Sequence, residues 1–174
     1  MVRIEDVDLE VEDEYYNIVK EMLFNKTVLK MRDIPHQGSC NCYDHCIRAS
    51  YYCYKVCKKL GLDYVSCARA AMVHDLYLYN WREGRGDRKG LHAFTHPKLA
   101  YENAAKLFDL NEKEKDIIIK HMWPLTIIPP KYAEGFVLTM VDKYCATLEN
   151  FQSLSEKKAW RYAYLLLCLL FIKR

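Results

Sequence analysis

The residues best suited to chemistry in this chain lie in the run Ala71-Met72-Val73-His74-Asp75-Leu76, where a histidine and an aspartate follow uncharged residues directly. Adjacent residues on a helix point about 100° apart, so His74 and Asp75 converge on one point only if it lies off the helix flank. A metal ion held between several helices is such a point. His45, His96, His121 and Asp142 fall on separate predicted helices, which completes a set of four histidines and two aspartates. Asp142 is in line with Leu138 and Cys145 on an apolar stripe, and a buried carboxylate must be paired or bind a cation. His121 follows Ile117 by one helical turn. A lone histidine in a helix is more often a surface or hydrogen-bonded core residue, so His36 and His92 carry no assignment. Imidazole plus carboxylate, with no cysteine at matching positions, suits iron, manganese, zinc or cobalt better than a thiolate-rich structural zinc site.

These residues need helices to position them, and the apolar spacing predicts them. Tyr15, Ile18, Val19, Met22 and Leu23 recur at three and four residues, predicting an amphipathic helix from Val11 to about Lys30. Pro35 and Gly38 break the pattern. A second helix runs from about Tyr43 to Leu60 and stops at Gly61. Asp63 caps a third, from Tyr64 to about Leu78, which carries His74 and Asp75 near its end. Thr95-His96-Pro97 reads as a helix start with Thr95 as cap. Asn111 to Glu114 has the form of a capping box opening the helix of Ile117, Ile118 and His121. Pro129-Pro130 precede the helix of Asp142, and a last helix spans about Ser155 to Ile172. No alternating strand pattern stands out, so the expectation is a single all-α domain of five to seven helices without a sheet.

Composition agrees. At 174 residues, 51% apolar and 28% charged, the chain suits one soluble domain with a real core. A net charge of +3 with both signs interspersed gives no reason to expect a nucleic-acid or membrane-surface partner. The eight cysteines follow an acidic start (Glu5, Asp6, Asp8, Glu10) rather than an apolar leader, which points to free thiols in a reducing cytoplasm. Cys40-Asn41-Cys42 lacks the spacing of a zinc pair. The apolar run Ala163 to Ile172 is too short to span a bilayer.

The order His45…His74-Asp75…Asp142 resembles the signature of the HD-domain metal-dependent phosphohydrolases, and His96 and His121 resemble the additions of its six-ligand, two-metal branch. The phrases Tyr43-Asp44-His45-Cys46, Lys120-His121-Met122-Trp123-Pro124 and Asp142-Lys143-Tyr144-Cys145-Ala146-Thr147 are similar to an uncharacterised bacterial HD family common in Firmicutes. The likeness covers about Pro35 to Glu149; Met1 to Arg32 and the last helix lie outside it. It implies that His45, His74, Asp75 and Asp142 hold one divalent ion and His96 and His121 a second, with Asp75 bridging. The candidate ions are iron, manganese, zinc, cobalt and magnesium. A hydroxide between the metals would be the nucleophile and an open metal position would take a phosphoryl oxygen. Lys120 and Lys143, each next to a ligand, are candidates to stabilise phosphoryl charge, against the alternative of a solvated lysine or a salt bridge.

The leading expectation is hydrolysis of a phosphate ester or phosphoanhydride, with a nucleotide foremost as substrate. Di-iron oxygenases of the same superfamily present the same ligand pattern, and a non-catalytic nucleotide sensor is a third possibility. Between Asn80 and Ala93 three glycines accompany Arg82, Arg85, Arg88 and Lys89, and no apolar period survives. This segment reads as a long loop whose cations either bind substrate phosphate or merely solvate a flap.

Overall fold

The computed structural model describes residues 2–4, 9–83 and 90–151. Within them the protein is helical and forms a single domain: α1 (Asp13–Leu23), α2 (Lys26–Leu29), α3 (Cys42–Leu60), α4 (Tyr64–Val73), α5 (His92–Ala104), α6 (Glu112–Lys120) and α7 (133–151). Short 3-10 turns occupy Lys30–Asp33 and Trp81–Glu83. Among the described residues, an antiparallel pair departs from the all-helical pattern: β1 (Val2–Ile4) and β2 (Leu9–Val11), in the register Val2↔Val11 and Ile4↔Leu9. Each strand alternates apolar and charged residues over only three positions, too short a run to stand out by pattern.

Helix α4 is the centre of the molecule. Seven of its residues, Ser66 to Ala68 and Ala70 to Val73, are buried, and it packs against α1, α3, α5 and α6. A short helix apolar around most of its circumference must be enclosed in this way. Its closest partner is α3, where Ser50 Oγ donates to the Ala68 carbonyl at 2.7 Å across a seam of small α4 side chains. The two join in a tight turn. Leu62 N bonds to the Cys57 carbonyl at 2.9 Å, Gly61 N bonds to that of Lys58 at 3.3 Å, and Gly61 takes φ 67°. This is a glycine-closed helix end, and Asp63 then caps α4 by accepting from Ser66 N.

Polar ties hold the outer helices to this pair. Arg69 on α4 donates to Glu114 Oε1 at 2.6 Å, while Glu114 also completes the predicted capping box with Asn111 at the start of α6. Glu134 on α7 accepts from the Asp63 amide and from Lys113 Nζ, each at 3.0 Å. No described helix is long and apolar enough to cross a membrane. All seven described cysteines are free, and six of them are buried.

Several expected boundaries differ. The first long helix divides at Asn25, whose side chain accepts from Thr27 N and Val28 N and starts α2 anew. Helix α4 ends at Val73 rather than Leu78, with His74 as its C-cap. Helix α5 begins at His92, three residues before Thr95, so Pro97 lies in its second turn and the presumed loop from Asn80 is shorter. The expected helix over 155–172 lies outside the described residues.

No atom lies within 4 Å of a Cβ built on Gly61, so replacement there is opposed by backbone conformation alone. Gly61→Ala should lower unfolding stability in urea by roughly 1–2 kcal/mol. Metal uptake should be unchanged in the folded variant.

Candidate metal centre

The six residues singled out by type and spacing meet in one place. His45 comes from α3, His74 and Asp75 from the turn that ends α4, His96 from α5, His121 from the C-cap of α6 and Asp142 from α7. The four histidines and Asp75 are buried, and the Asp142 side chain is 13% exposed. Two further residues join them, His36 from the segment before α3 and Glu149 from α7, both buried.

Each imidazole is fixed by an acceptor behind it. His74 Nδ1 donates to the Ala71 carbonyl at 2.7 Å, His96 Nδ1 to that of His92 at 2.8 Å and His121 Nδ1 to that of Ile118 at 2.7 Å. A carbonyl only accepts, so these three Nδ1 atoms carry hydrogen and each Nε2 offers a lone pair when the ring is neutral. His74 and His121 do this in the same way, as helix C-caps with φ, ψ of −61°, −24° and −60°, −20°. Histidine capture of a terminal carbonyl is a recognised helix ending. It explains why α4 stops short of Leu78. For His36 and His45 the acceptor is one carboxylate: Glu149 receives His36 Nδ1 at 3.2 Å and His45 Nδ1 at 3.1 Å.

All five Nε2 atoms face the two aspartates. Asp75 Oδ2 lies 3.3 Å from His36 Nε2 and 3.7 Å from His74 Nε2, while its Oδ1 lies 3.2 Å from His96 Nε2 and 3.8 Å from His121 Nε2. Asp142 Oδ1 is 3.1 Å from His45 Nε2 and 3.7 Å from His74 Nε2. His96 and His121 bring their Nε2 atoms to 3.0 Å from each other, both with Nδ1 already donating to carbonyls. Two such lone pairs repel unless a proton or a cation lies with them. His74 Nε2 and Asp75 Oδ1 are buried and have no hydrogen-bond partner among the described residues. Buried polar atoms left in that state are rare and call for an ion or a ligand. Three overlapping groups, His36/His45/Asp75, His45/His74/Asp142 and His74/Asp75/His121, bring one donor atom each within 4.8 Å of one another. These groups could hold metal ions, and the residues present fit that use.

The electrostatics agree. Burial opposes ionisation of Asp75, yet His74, His36 and His96 hold its carboxyl well below the usual range; His45 and His74 do the same for Asp142. Burial pulls the His36 imidazole down, but Asp75 and Glu149 outweigh it and raise its pKa to about 10. His74, with burial against it and Asp75 and Asp142 for it, reaches about 9. Burial and the neighbouring His74 and His96 push His121 to about 3. The metal-free cluster thus holds protons where a cation would sit.

The remaining candidates lie as follows. Lys120 Nζ pairs with Asp116 at 2.5 Å, and Lys143 Nζ donates to the Thr139 carbonyl at 3.2 Å. Arg82 donates to the His36 carbonyl at 2.5 Å and stacks over Trp81. Arg85, Arg88 and Lys89 lie outside the described residues. The cluster opens on a cavity of about 280 Å³, walled also by Gln37, Trp81, His92 and Met122. A larger groove of about 720 Å³, lined by Tyr52, Phe136, Met140 and Tyr144, shares no residue with the cluster. Sequence reasoning missed His36 and Glu149. Glu149 stands seven residues after Asp142 on the same helix face, a signal that was available; His36 sits in an aperiodic segment that offered none.

No protein-family model, curated protein or solved structure matches this chain.

With the His36 and His74 imidazoles raised above pH 7 by the neighbouring carboxylates, a cation taken up between these residues would displace their protons. Apparent affinity should therefore rise as pH increases from 7, and level off above the values of about 9 and about 10. Titration calorimetry in buffers of different ionisation enthalpy should show proton release on metal uptake at pH 7. Uptake without proton release would mean that His36 and His74 are not ligands. The sign for the metal-free fold is opposite: raised histidine values stabilise it below the ordinary pKa of 6.5, and that contribution is lost as pH climbs through 9 to 10.

Proposed function

We propose that this protein is a metal-dependent phosphohydrolase that cleaves a phosphate ester or phosphoanhydride, with nucleotides the first class to assay. The observation that carries this reading is the division of Asp75, whose Oδ2 faces His36 and His74 and whose Oδ1 faces His96 and His121. A carboxylate with imidazoles on both sides is suited to bridge two divalent ions. The residues that would hold them are His45, His74, Asp75 and Asp142 on one side, and Asp75, His96 and His121 on the other. When bound, such a pair supplies Lewis acidity, acidifying a shared water and neutralising charge on a phosphoryl oxygen.

The chain's own residues do the rest. The carbonyls of Ala71, His92 and Ile118 keep three rings in the tautomer that presents Nε2. Thr139 Oγ1 donates to the His121 carbonyl at 3.0 Å and holds the end of α6 against α7. Asn103 Nδ2 donates to the Leu76 carbonyl at 2.8 Å and holds the turn that carries Asp75. A cavity of about 280 Å³ admits a phosphoryl group and a modest organic fragment. All the donors are nitrogen and oxygen, a set that serves manganese, iron, cobalt, zinc or magnesium without selecting among them. The order of the ligands along the chain, which resembles that of the HD phosphohydrolases, points the same way.

Metal analysis of protein purified without chelator, followed by a phosphate-release screen over nucleotides and phosphomonoesters, tests the proposal. Asp75→Ala should lose metal from both positions and all turnover, whereas His121→Ala should keep about one equivalent and lose turnover. Full metal content and activity in Asp75→Ala would remove the bridging role. Turnover that requires dioxygen and releases no phosphate would move the protein to the oxygenases.

A further inference from the structure

We infer that His36 is itself a metal ligand and Glu149 its positioning residue, so that the two metal positions are unequal. This rests on the metal reading above and goes beyond the six residues that the sequence singles out. His36 shares with the other four histidines the two features that mark a ligand here. Its Nδ1 is backed by an acceptor, Glu149 Oε2 at 3.2 Å, and its Nε2 faces a central carboxylate, Asp75 Oδ2 at 3.3 Å. It is 8% exposed and stacks on the His45 ring, centroids 3.7 Å apart at 27°.

The segment that carries His36 is held from several sides. Its amide donates to the Cys40 carbonyl at 2.9 Å, and its carbonyl receives Arg82 Nη2 at 2.5 Å. The preceding carbonyl, of Pro35, receives Trp81 Nε1 at 3.2 Å, and Pro35 forms an isolated bridge with Asn41. A ring held at both its backbone and its Nδ1 has little freedom to turn Nε2 away from Asp75. Arg82, which by sequence was a candidate for substrate phosphate, serves here to clamp the ligand loop.

Among the described residues, the position beside Asp75 Oδ2 therefore draws on His36, His45, His74, Asp75 and Asp142, and the position beside Oδ1 on Asp75, His96 and His121. An ion held by five protein donors would have fewer positions left for water or substrate than one held by three. The first position would accordingly hold a divalent ion more tightly, and the second would leave more room for the substrate's oxygens. Glu149, 4% exposed and shared by His36 and His45, orients two ligands of the tight position and none of the other.

Chelator-treated protein titrated with Co(II) alone decides this. Wild type should show one tight and one weak event. Glu149→Gln should weaken the tight event by about 10- to 100-fold, and His36→Ala by at least as much, with the weak event unmoved. Proton NMR of the protein with both positions filled by Co(II) should show a paramagnetically shifted, exchangeable N–H resonance from each of the five histidines that donate through Nδ1. One should vanish in His36→Ala. The wild-type count needs no variant to fold: four such resonances instead of five would overturn the assignment of His36. An unchanged tight event in folded His36→Ala would overturn it too, and either result leaves the two-metal reading standing. Failure of wild type to bind Co(II) at all would overturn both.

Discussion

Two carboxylates, Asp75 and Asp142, stand inside a helical core, and the arrangement around them follows from what that requires. An ionised carboxylate taken out of water is strongly unfavourable unless charge and hydrogen bonds replace the water. Imidazole can do this only if its correct nitrogen points inward, so every ring needs an acceptor on its far side. The fold supplies three of these from backbone. A helix leaves its last carbonyls without partners, and α4 and α6 end where Ala71 and Ile118 can serve His74 and His121. Helix termination and ligand orientation are here one interaction.

Helix α7 closes the arrangement with a single face. Thr139 bonds to the His121 carbonyl, Asp142 approaches His45 and His74, and Glu149 receives His36 and His45. Spacings of three and seven residues put these side chains on one line along a helix. Because Glu149 serves rings from two different segments, the rotation of α7 fixes both at once.

The sequence carried much of this, for a definite reason. His45, His74, Asp75, His96, His121 and Asp142 were visible because each stands at a helical position or helix end among apolar neighbours, where an ionisable group is conspicuous. Gly61 and the Asn111–Glu114 capping box were visible because their chemistry is local. Asn25 could have been read as a cap but is masked by apolar spacing that runs across it. The end of α4 was misplaced because the hydrophobic pattern continues through Leu76 and Leu78, while the interaction that ends the helix belongs to a histidine side chain. His36 could not be recognised at all. Nothing within several residues of it has a period, and its role comes from Asp75 and from Glu149 at the far end of the described chain, both distant in sequence.

That distance has a consequence for how the protein comes together. His36 and Glu149 are 113 residues apart and His45 and Asp142 are 97 apart. Helices α3 and α4, by contrast, join through a turn of three residues and can pair as soon as both are synthesised. Closing a long loop is slow relative to such local pairing. All five imidazoles of the cluster and Asp75 precede Asp142 in the chain, so the second carboxylate is the last of these groups to be added. An ion held by His45, His74 and Asp142 would join α7 to α3 and α4, so its binding free energy would also dock the helix. Loss of such an ion would then be felt first at α7, as a defect of folding before any loss of chemistry.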